Sequence, residues 1–331
     1  MNSKLAQTYF EEIILMIRES RSRALRNVNT ELIDLYWRIG EYISKKIAEE
    51  VWGKSIVENL AEYILKQEPD IKGFSSQNLW RTRQFFEVYK ENPKLSPLVR
   101  EISWTNNMII ISRCKTSEER EFYLKLTARE YLSKRELERQ INSGIFERTM
   151  LSDKKLSPVV RELPQNVAGA FKDTYVFEFL NLHDSFDEKS LQKALIKNLK
   201  DFILELGRDF TFMGEEYRLQ VGNSDFFIDL LFYHRELQCL VAFELKVDKF
   251  KPEYLGQLEF YLEALDRDVK KSHENPSIGV LLCRDKDTEV VEYALSRSVS
   301  PALIADYETK LIPKALLQKK IHELFENTVV D

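Results

Sequence analysis

Two adjacent apolar runs, FFIDLLFY (residues 226–233) and CLVAFELKV (residues 239–247), constrain the fold of this chain most strongly. Each is rich in the aromatic and branched residues of a buried strand, and a short turn, RELQ, separates them. The first run nevertheless carries Asp229, and the second carries Glu244 and Lys246. An unpartnered ionised carboxylate inside apolar surroundings costs on the order of several kcal/mol or takes up a proton. The sequence therefore predicts that these charges meet at one place in a sheet.

A hairpin of the two runs would bring Asp229 and Glu244 close together, because both lie roughly seven residues from the turn. Glu244 and Lys246 are two apart on one strand, so their side chains leave the same face. Two neighbouring carboxylates repel unless a cation holds them, and Mg²⁺ takes carboxylate and backbone carbonyl oxygens as ligands. An ammonium beside them can orient or deprotonate a water and balance charge on a phosphoryl group.

Composition limits the class of protein. The 331 residues are 44% hydrophobic and 31% charged, which is typical of a soluble globular chain of two domains. No stretch approaches the ~18 consecutive apolar residues of a membrane span. Three distant cysteines, an odd number, favour a reducing cytoplasm without a disulfide framework, and no His–Cys spacing indicates zinc. The sequence therefore predicts a cytoplasmic protein with no membrane contact.

The chain divides into two parts by charge and by period. Residues 1–150 hold 25 Lys and Arg against 22 Asp and Glu, whereas the remaining 181 residues hold 24 against 32. Residues 1–150 have apolar residues at spacings of three and four, which predicts a helical domain. Residues 151–175 are turn-rich and are predicted to be a linker. Residues 176–331 follow the order αβββαβαβ, which predicts a mixed sheet with helices on its faces.

The sequence stretches around Asp229, Glu244 and Lys246 indicate a protein family more specifically than these three residues do alone. An Asp followed by E-x-K on the next strand, and then by a helix with Q-x-x-x-Y, resembles the PD-(D/E)XK nuclease superfamily. The stretches LKDFILELGRDFTFMGEEYRL, NPSIGVLLCRDKD, LYWRIGEYI and GFSSQNLWRTRQFF are similar to those of the YhcG family of nuclease-like proteins. The resemblance covers about residues 10–310. It implies a restriction-endonuclease-like C-terminal domain, after an all-α, helix-turn-helix-like N-terminal domain, and hydrolysis of phosphodiester bonds with Mg²⁺ or Mn²⁺.

The resemblance also assigns residues to this site. It implies catalytic roles for Asp229, Glu244 and Lys246, with Gln257 and Tyr261 beside them, and metal binding by Asp229 and Glu244. The superfamily often adds an acid from the helix before the first strand. Glu188 and Glu205 are the two candidates, and Glu188 is slightly favoured; where Gln192 stands, related sequences tend to have an acid. A structural buried ion pair is the alternative role for Lys246.

Basic and polar residues predict where nucleic acid would bind. The helix SSQNLWRTRQFF follows another helix and a turn with Gly73, which is the order of a helix-turn-helix. Its candidate contact residues are Ser76, Asn78, Arg81 and Arg83. Lys249 and Lys251, just after the site strand, are candidates for phosphate contact or for a merely solvated loop. DNA is the favoured partner, and a homodimer or a defence or mobile-element complex is left open. The alternative to an enzyme is a non-catalytic binding subunit of such a system.

Overall fold

The computed structural model describes residues 3–49, 54–162, 167–183 and 185–328. The chain forms two compact units, an N-terminal unit, Met1–Ile141, and a C-terminal unit, Asn142–Asp331.

The N-terminal unit is helical, as the spacing of its apolar residues predicts. Its helices are α1 (Ser3–Ala48), α2 (Lys54–Gln67), α3 (Ser76–Tyr89), α4 (Ser96–Glu101), α5 (Trp104–Arg113), α6 (Ser117–Glu130) and α7 (Lys134–Asn142), with a 3₁₀ turn at Pro93–Leu95. A capping box opens α7: the Ser133 amide donates to Glu136 at 2.6 Å, and the Glu136 amide donates back to the Ser133 hydroxyl at 3.5 Å.

Helix α1 is long, and its C-terminal half forms the centre of this unit. Ile33, Tyr36 and Ile43 are buried there. Gly40 allows α1 and α3 to approach closely, because a Cβ atom at this position would lie 2.1 Å from the backbone oxygen of Thr82. Any larger residue at position 40 would therefore push these two helices apart.

The C-terminal unit contains a mixed six-stranded sheet. Its strands are β1 (Thr174–Val176), β2 (Phe210–Val221), β3 (Ser224–His234), β4 (Cys239–Leu245), β5 (Ile278–Cys283) and β6 (Ala302–Glu308). The order across the sheet is β1-β6-β5-β4-β3-β2. Strands β1, β6, β5 and β4 run parallel, whereas β4, β3 and β2 pair antiparallel.

Helices accompany both faces of this sheet. They are α8 (Ile145–Met150), α9 (Pro158–Glu162), α10 (Val167–Ala170), α11 (Glu188–Lys197), α12 (Leu199–Leu206), α13 (Glu253–Ala264), α14 (Thr288–Leu295) and α15 (Lys314–Thr328), with a 3₁₀ turn at Glu178–Leu180 and a π-helical turn at Leu265–Val269. Phe202 of α12 packs against one face with Phe232 and Phe243 of the sheet. Leu258 and Leu262 of α13 belong to the core on the other face.

The structure differs from the sequence prediction in the stretch before the sheet. The boundary between the units lies after Ile141 and not after residue 150. Within residues 151–175, predicted to be a linker, Val160 and Phe171 lie in the sheet core, and β1 begins at Thr174 as a sixth, unpredicted strand. The turn-rich composition hid these contacts, because β1 is only three residues long and pairs with β6 over a hundred residues later.

One further difference concerns the first helix of the predicted order αβββαβαβ, which falls on the stretch DEKSLQKALIKNLKDFILELG. It is two helices, α11 and α12, with a break at Asn198, whose side-chain amide donates to the carbonyl of Ala194 at 2.9 Å. Such a side-chain bond competes with the continuation of a helix. Across the described ranges, we find no helix with the length and apolarity needed to span a membrane.

Candidate active site

Strands β3 and β4 form the hairpin that the two apolar runs predict. Their pairing starts with His234 opposite Cys239 and continues to Leu230 opposite Phe243. Asp229 and Glu244 are the next residue on each strand, so they lie where the ladder ends. Strand β4 is buried along its whole length between β3 and β5, and Lys246 follows it directly. The backbone therefore brings the three charged residues together at one end of the central strands.

Polar contacts join the Asp229 side chain to the backbone and the Glu244 side chain to Lys246. Asp229 Oδ2 accepts a hydrogen bond from the Leu245 amide at 2.8 Å. Lys246 Nζ lies 3.1 Å from Glu244 Oε1, and Glu244 is only 2% exposed. The other carboxylate oxygen of Glu244, Oε2, is buried and has no hydrogen-bond partner. A buried carboxylate oxygen left in this way costs free energy unless another group binds it.

The pKa values of the three groups reflect burial and mutual repulsion. Burial, and then the neighbouring Asp229 carboxylate, raise the pKa of Glu244 to about 7, although Lys246 opposes the shift. Burial also raises the pKa of Asp229, against the effect of the Leu245 amide. Burial lowers the pKa of the Lys246 ammonium, but the surrounding carboxylates outweigh it and the pKa is raised overall. One ammonium therefore does not fully compensate these carboxylates, and a further cation would be stabilised here.

The two candidates for an additional acid, Glu188 and Glu205, lie in different surroundings. Glu188, in the first turn of α11, lies 3.5 Å from Lys246 Nζ through Oε2. Glu205 lies elsewhere: it is fully buried, 3.4 Å from Arg148 and 3.1 Å from Lys172, and it accepts from the Val176 amide. Glu205 thus belongs to a separate buried ion pair, whereas Glu188 lies beside Lys246.

Gln192, one turn further along α11, contacts the site through the backbone. Its Nε2 donates to the carbonyl oxygen of Asp229 at 2.9 Å. A neutral amide here holds the strand that carries Asp229 without adding another negative charge. Gln192 therefore has a structural role in this chain, at a position where related sequences tend to have an acid.

Helix α13 brings Gln257 and Tyr261 to the same region. Gln257 Nε2 donates to the Tyr261 hydroxyl at 2.7 Å. Burial raises the pKa of Tyr261, the Gln257 contact lowers it, and the Glu244 carboxylate raises it further. The Q-x-x-x-Y pair is therefore prearranged as one hydrogen-bonded unit.

Two tyrosines at the site were not predicted from the sequence. The ring centroid of Tyr254 lies 5.4 Å from Lys246 Nζ, close enough for a cation–π contact. The hydroxyl of Tyr307 donates to the Lys246 carbonyl at 3.2 Å. Tyr254 could have been found from the helical spacing, since it precedes Gln257 by three and Tyr261 by seven. Tyr307 had no such signal, because β6 meets this position only in the folded sheet.

The residues at the site fit a divalent cation in part. Asp229 and Glu244 offer carboxylate oxygens side by side, including the unpartnered Oε2, and this is the donor chemistry that Mg²⁺ and Mn²⁺ prefer. Among the residues that the structure describes, however, no three acidic, histidine or cysteine side chains converge as ligands. The Lys246 ammonium lies between Glu244 and Glu188 instead. Asp229 and Glu244 are therefore the two residues best placed to hold a cation, with Glu188 nearby.

Lys249 and Lys251 lie on the loop that follows β4, and both side chains are about half exposed. Lys249 Nζ is 3.8 Å from Asp285 and 3.9 Å from Asp287, and Lys251 Nζ is 3.9 Å from Asp248. Contacts of this length between exposed charges are weak and leave both ammonium groups accessible to solvent. The structure thus places two accessible cations in the segment after the site strand.

The predicted binding residues in the N-terminal unit have different roles. Ser76 opens α3, and the hydroxyl of the preceding Ser75 is its N-cap. The Asn78 amide donates to the Gly73 carbonyl and accepts from Trp104 Nε1 at 2.9 Å, so it fixes the chain locally. Gly73 has a φ of 99°, which suits glycine at the end of this turn.

The two arginines of α3 also differ. Arg81 is exposed, whereas Arg83 pairs with Glu87 at 2.8 Å and lies over the Trp80 ring. The connection between α2 and α3 comprises eight residues, 68–75, which is longer than the three or four of a usual helix-turn-helix. The helix-turn-helix assignment of this region stays a prediction.

Family models match both parts of the chain. Residues 168–322 match the YhcG PDDEXK nuclease domain, and residues 12–148 match the DUF1016 N-terminal domain. The chain is 31% identical to a protein of Escherichia coli (strain K12) named "Putative nuclease YhcG", over 92% of this chain and 90% of that one.

Two solved structures show a weaker, partial similarity. A complex of EndoMS with double-stranded DNA is 16% identical, with a TM-score of 0.26 over 40% of this chain and 47% of that chain. A repair endonuclease from Pyrococcus abyssi is 15% identical, with a TM-score of 0.26 over 40% of this chain and 50% of that chain.

Proposed function

Because the chain belongs to the YhcG family of PD-(D/E)XK nuclease-like proteins, we propose that it hydrolyses phosphodiester bonds of DNA in a metal-dependent reaction. The observation that carries this proposal is the buried, unpartnered Glu244 Oε2 next to Asp229 and Lys246. A purely structural ion pair would need no second carboxylate, yet Asp229 lies at the end of the neighbouring strand beside Glu244. The arrangement is better explained if a cation and a phosphate complete it.

Asp229 and Glu244 would hold the Mg²⁺ or Mn²⁺ ion. When bound, such an ion polarises a phosphoryl oxygen and lowers the pKa of a water molecule. The Leu245 amide fixes the orientation of the Asp229 carboxylate, and Gln192 fixes its backbone. These two contacts preorganise the Asp229 carboxylate before substrate arrives.

Lys246 is the proposed partner of the attacking water and of the phosphoryl group. Its raised pKa keeps it an ammonium at neutral pH, so we assign it to orient the attacking water and to balance charge that develops on the phosphoryl oxygens. Tyr254 and the Glu244 carboxylate hold the ammonium in place. Gln257 and Tyr261 support the same region as a positioning pair, and Glu188 is positioned to accept from the ammonium or to join the cation.

We further propose that nucleic acid is bound outside the site. Lys249 and Lys251 are accessible cations suited to phosphate, and on α3 the exposed Arg81 is better suited than the paired Arg83. Ser76 and Asn78 also belong to this proposed surface, and the contribution of Asn78 is to hold the local chain in shape. A cytoplasmic location accords with the composition.

The test incubates the purified chain with plasmid DNA, linear DNA and RNA in Mg²⁺, Mn²⁺ or EDTA, beside a Glu244→Gln variant. Glutamine keeps the shape of the side chain but removes its charge. We expect cleavage of DNA by the parent with metal, and none with EDTA or with the variant. Cleavage that persists in the variant would contradict the assignment. Binding without cleavage under every condition would favour the non-catalytic subunit instead.

A further inference from the structure

The N-terminal unit contains a groove lined largely by basic residues. Its volume is about 890 Å³, and it is bordered by α1, by the junction of α4 and α5, and by the end of α6. Four arginines line it together with one glutamate, Glu101; the arginines are Arg18, Arg21, Arg26 and Arg100. The excess of positive charge indicates an anionic ligand.

Helix α1 supplies three of these arginines from the stretch RESRSRALR. Residues at positions 18, 21 and 25 follow helical spacing and share one face of α1. Arg18, Arg21 and Arg26 are exposed, and none forms an ion pair with any residue that the structure describes. Their guanidinium groups thus have their full charge and donors available to a ligand, unlike Arg83, which Glu87 neutralises in part.

The opposite wall of the groove is fixed by internal hydrogen bonds. Arg100 Nε lies 2.6 Å from Asp34 Oδ1, and its Nη1 donates to the Ser96 carbonyl at 2.7 Å. The Asn29 amide donates to the carbonyls of Arg100 and Ile102, at 2.9 and 3.1 Å. These bonds join α1 to the α4–α5 junction, so the groove is formed before any ligand binds.

Two apolar groups at the edge of the groove add a different kind of contact. Tyr131 caps α6 in the left-handed conformation, with φ 49°, and is 70% exposed. Leu25 of α1 is 71% exposed. A tyrosine ring beside guanidinium groups is the combination on which bases stack while phosphates are bound.

We propose that this groove binds the sugar–phosphate backbone of a nucleic-acid strand, and that Tyr131 stacks on one of its bases. The arginine guanidinium matches a phosphate with two parallel hydrogen bonds. The one lining amide that could read a base edge, that of Asn29, is engaged with backbone carbonyls. Because the proposed contacts are to phosphates and to the face of a base, we expect binding at the groove to depend little on sequence. This inference rests on the proposed function, because the bound strand is the substrate.

The test measures binding of a fluorescent 30-nucleotide strand and the matching duplex by anisotropy, with full-length protein in EDTA at several salt concentrations. In an Arg18→Gln, Arg21→Gln, Arg26→Gln variant we expect at least tenfold weaker binding near 0.1 M salt. The slope of log K against log salt should fall by roughly two to three, since each phosphate contact contributes about 0.7 to 0.9. The same three positions changed to lysine should keep the slope.

A matched control removes three other exposed cations of this unit, in Lys45→Gln, Lys66→Gln, Lys125→Gln. It should change the affinity less than threefold. Tyr131→Asn, which tolerates the left-handed conformation, should weaken single-strand binding about fivefold or more, whereas Tyr131→Phe should not.

The outcomes separate the inference from the proposed function. If the parent binds nucleic acid and the arginine variant binds equally well, the groove is not the binding surface. The same holds if the lysine control loses as much affinity, because net charge alone would then explain the effect. A parent that binds neither the strand nor the duplex at any salt concentration would overturn the groove inference, whether or not it cleaves DNA. Absent cleavage with intact, arginine-dependent binding would overturn only the proposed catalysis.

Discussion

The two units of this protein place their charges in opposite ways. In the C-terminal unit, Glu244 and Lys246 are 2% and 8% exposed and lie against each other. In the N-terminal unit, Arg18, Arg21 and Arg26 are exposed and form no ion pair with any described residue. A buried charge has a fixed position and a shifted pKa, which chemistry on a phosphate requires. An exposed charge is mobile and screened by salt, which is sufficient for binding but not for catalysis.

The same contrast exists within the C-terminal unit, between two buried ion pairs. In the Lys246–Glu244 pair, one carboxylate oxygen of Glu244 has no hydrogen-bond partner. In the Arg148–Glu205 pair, Glu205 has further contacts with Lys172 and with the Val176 amide. We expect the Arg148–Glu205 pair to stabilise the fold, and under the proposed function the Lys246–Glu244 pair acts on a ligand. Changes at Lys246, at the carboxylates and on α3 would break or sharpen the comparison between the two units.

The largest effect is expected at Lys246. Lys246→Ala should reduce the cleavage rate by a factor on the order of 10² or more, because the ammonium that orients water and balances phosphoryl charge is lost. Metal binding should persist, since both carboxylates remain. Single-turnover cleavage with Mn²⁺ and denaturant unfolding, on one preparation, measure the two quantities.

Arg148→Ala is the matched control for this variant. It should lower the free energy of unfolding by about 3–5 kcal/mol, because it leaves Glu205 buried with one cation fewer. The folded fraction should cleave at the parent rate. If Lys246→Ala instead loses stability by this amount and retains the parent rate, Lys246 is a structural partner and the catalytic assignment is wrong.

An intermediate effect is expected on thermal stability. Mn²⁺ at about ten times its Kd should stabilise the parent by ~1.4 kcal/mol, which corresponds to an increase of roughly 3–6 °C in Tm for a unit of this size. Asp229→Asn should remove most of this increase, since the amide still accepts from Leu245 but has no charge for the cation. Glu188→Gln should remove less, because Glu188 is half exposed and lies beside Lys246. A Tm that millimolar Mn²⁺ leaves unchanged would count against a metal site.

The smallest effect is expected on α3. Arg81→Ala with Arg83→Ala should weaken nucleic-acid binding only a few-fold and reduce the salt slope by about one, because Glu87 already neutralises Arg83. Metal-dependent cleavage should survive at high enzyme concentration. Filter binding across a salt series measures both. Unchanged binding would exclude α3 from the interface, and a larger loss than that of the α1 arginine variant would make α3 the main surface.

Much of the fold followed from patterns that are local in sequence. The apolar spacing predicted the helical N-terminal unit, and the turn between two strand-like runs predicted the hairpin that joins Asp229 to Glu244. Both patterns depend on residues within about fifteen positions of each other, where helix and hairpin geometry alone fixes which side chains meet.

The remaining features depend on residues far apart in the chain. Glu188 and Glu205 both lie near a helix end, and only the folded position of Arg148, 57 residues from Glu205, shows which acid is structural. The strand at Thr174–Val176 is too short to be recognised from the sequence. It forms because its backbone pairs with that of β6. The arginine groove likewise forms only because Asn29 holds α1 against carbonyls more than 70 residues away. The sequence by itself determined which charges had to be buried together, since their desolvation costs too much otherwise; the tertiary structure decided which other charges meet them, because such contacts cross the chain and leave no local pattern.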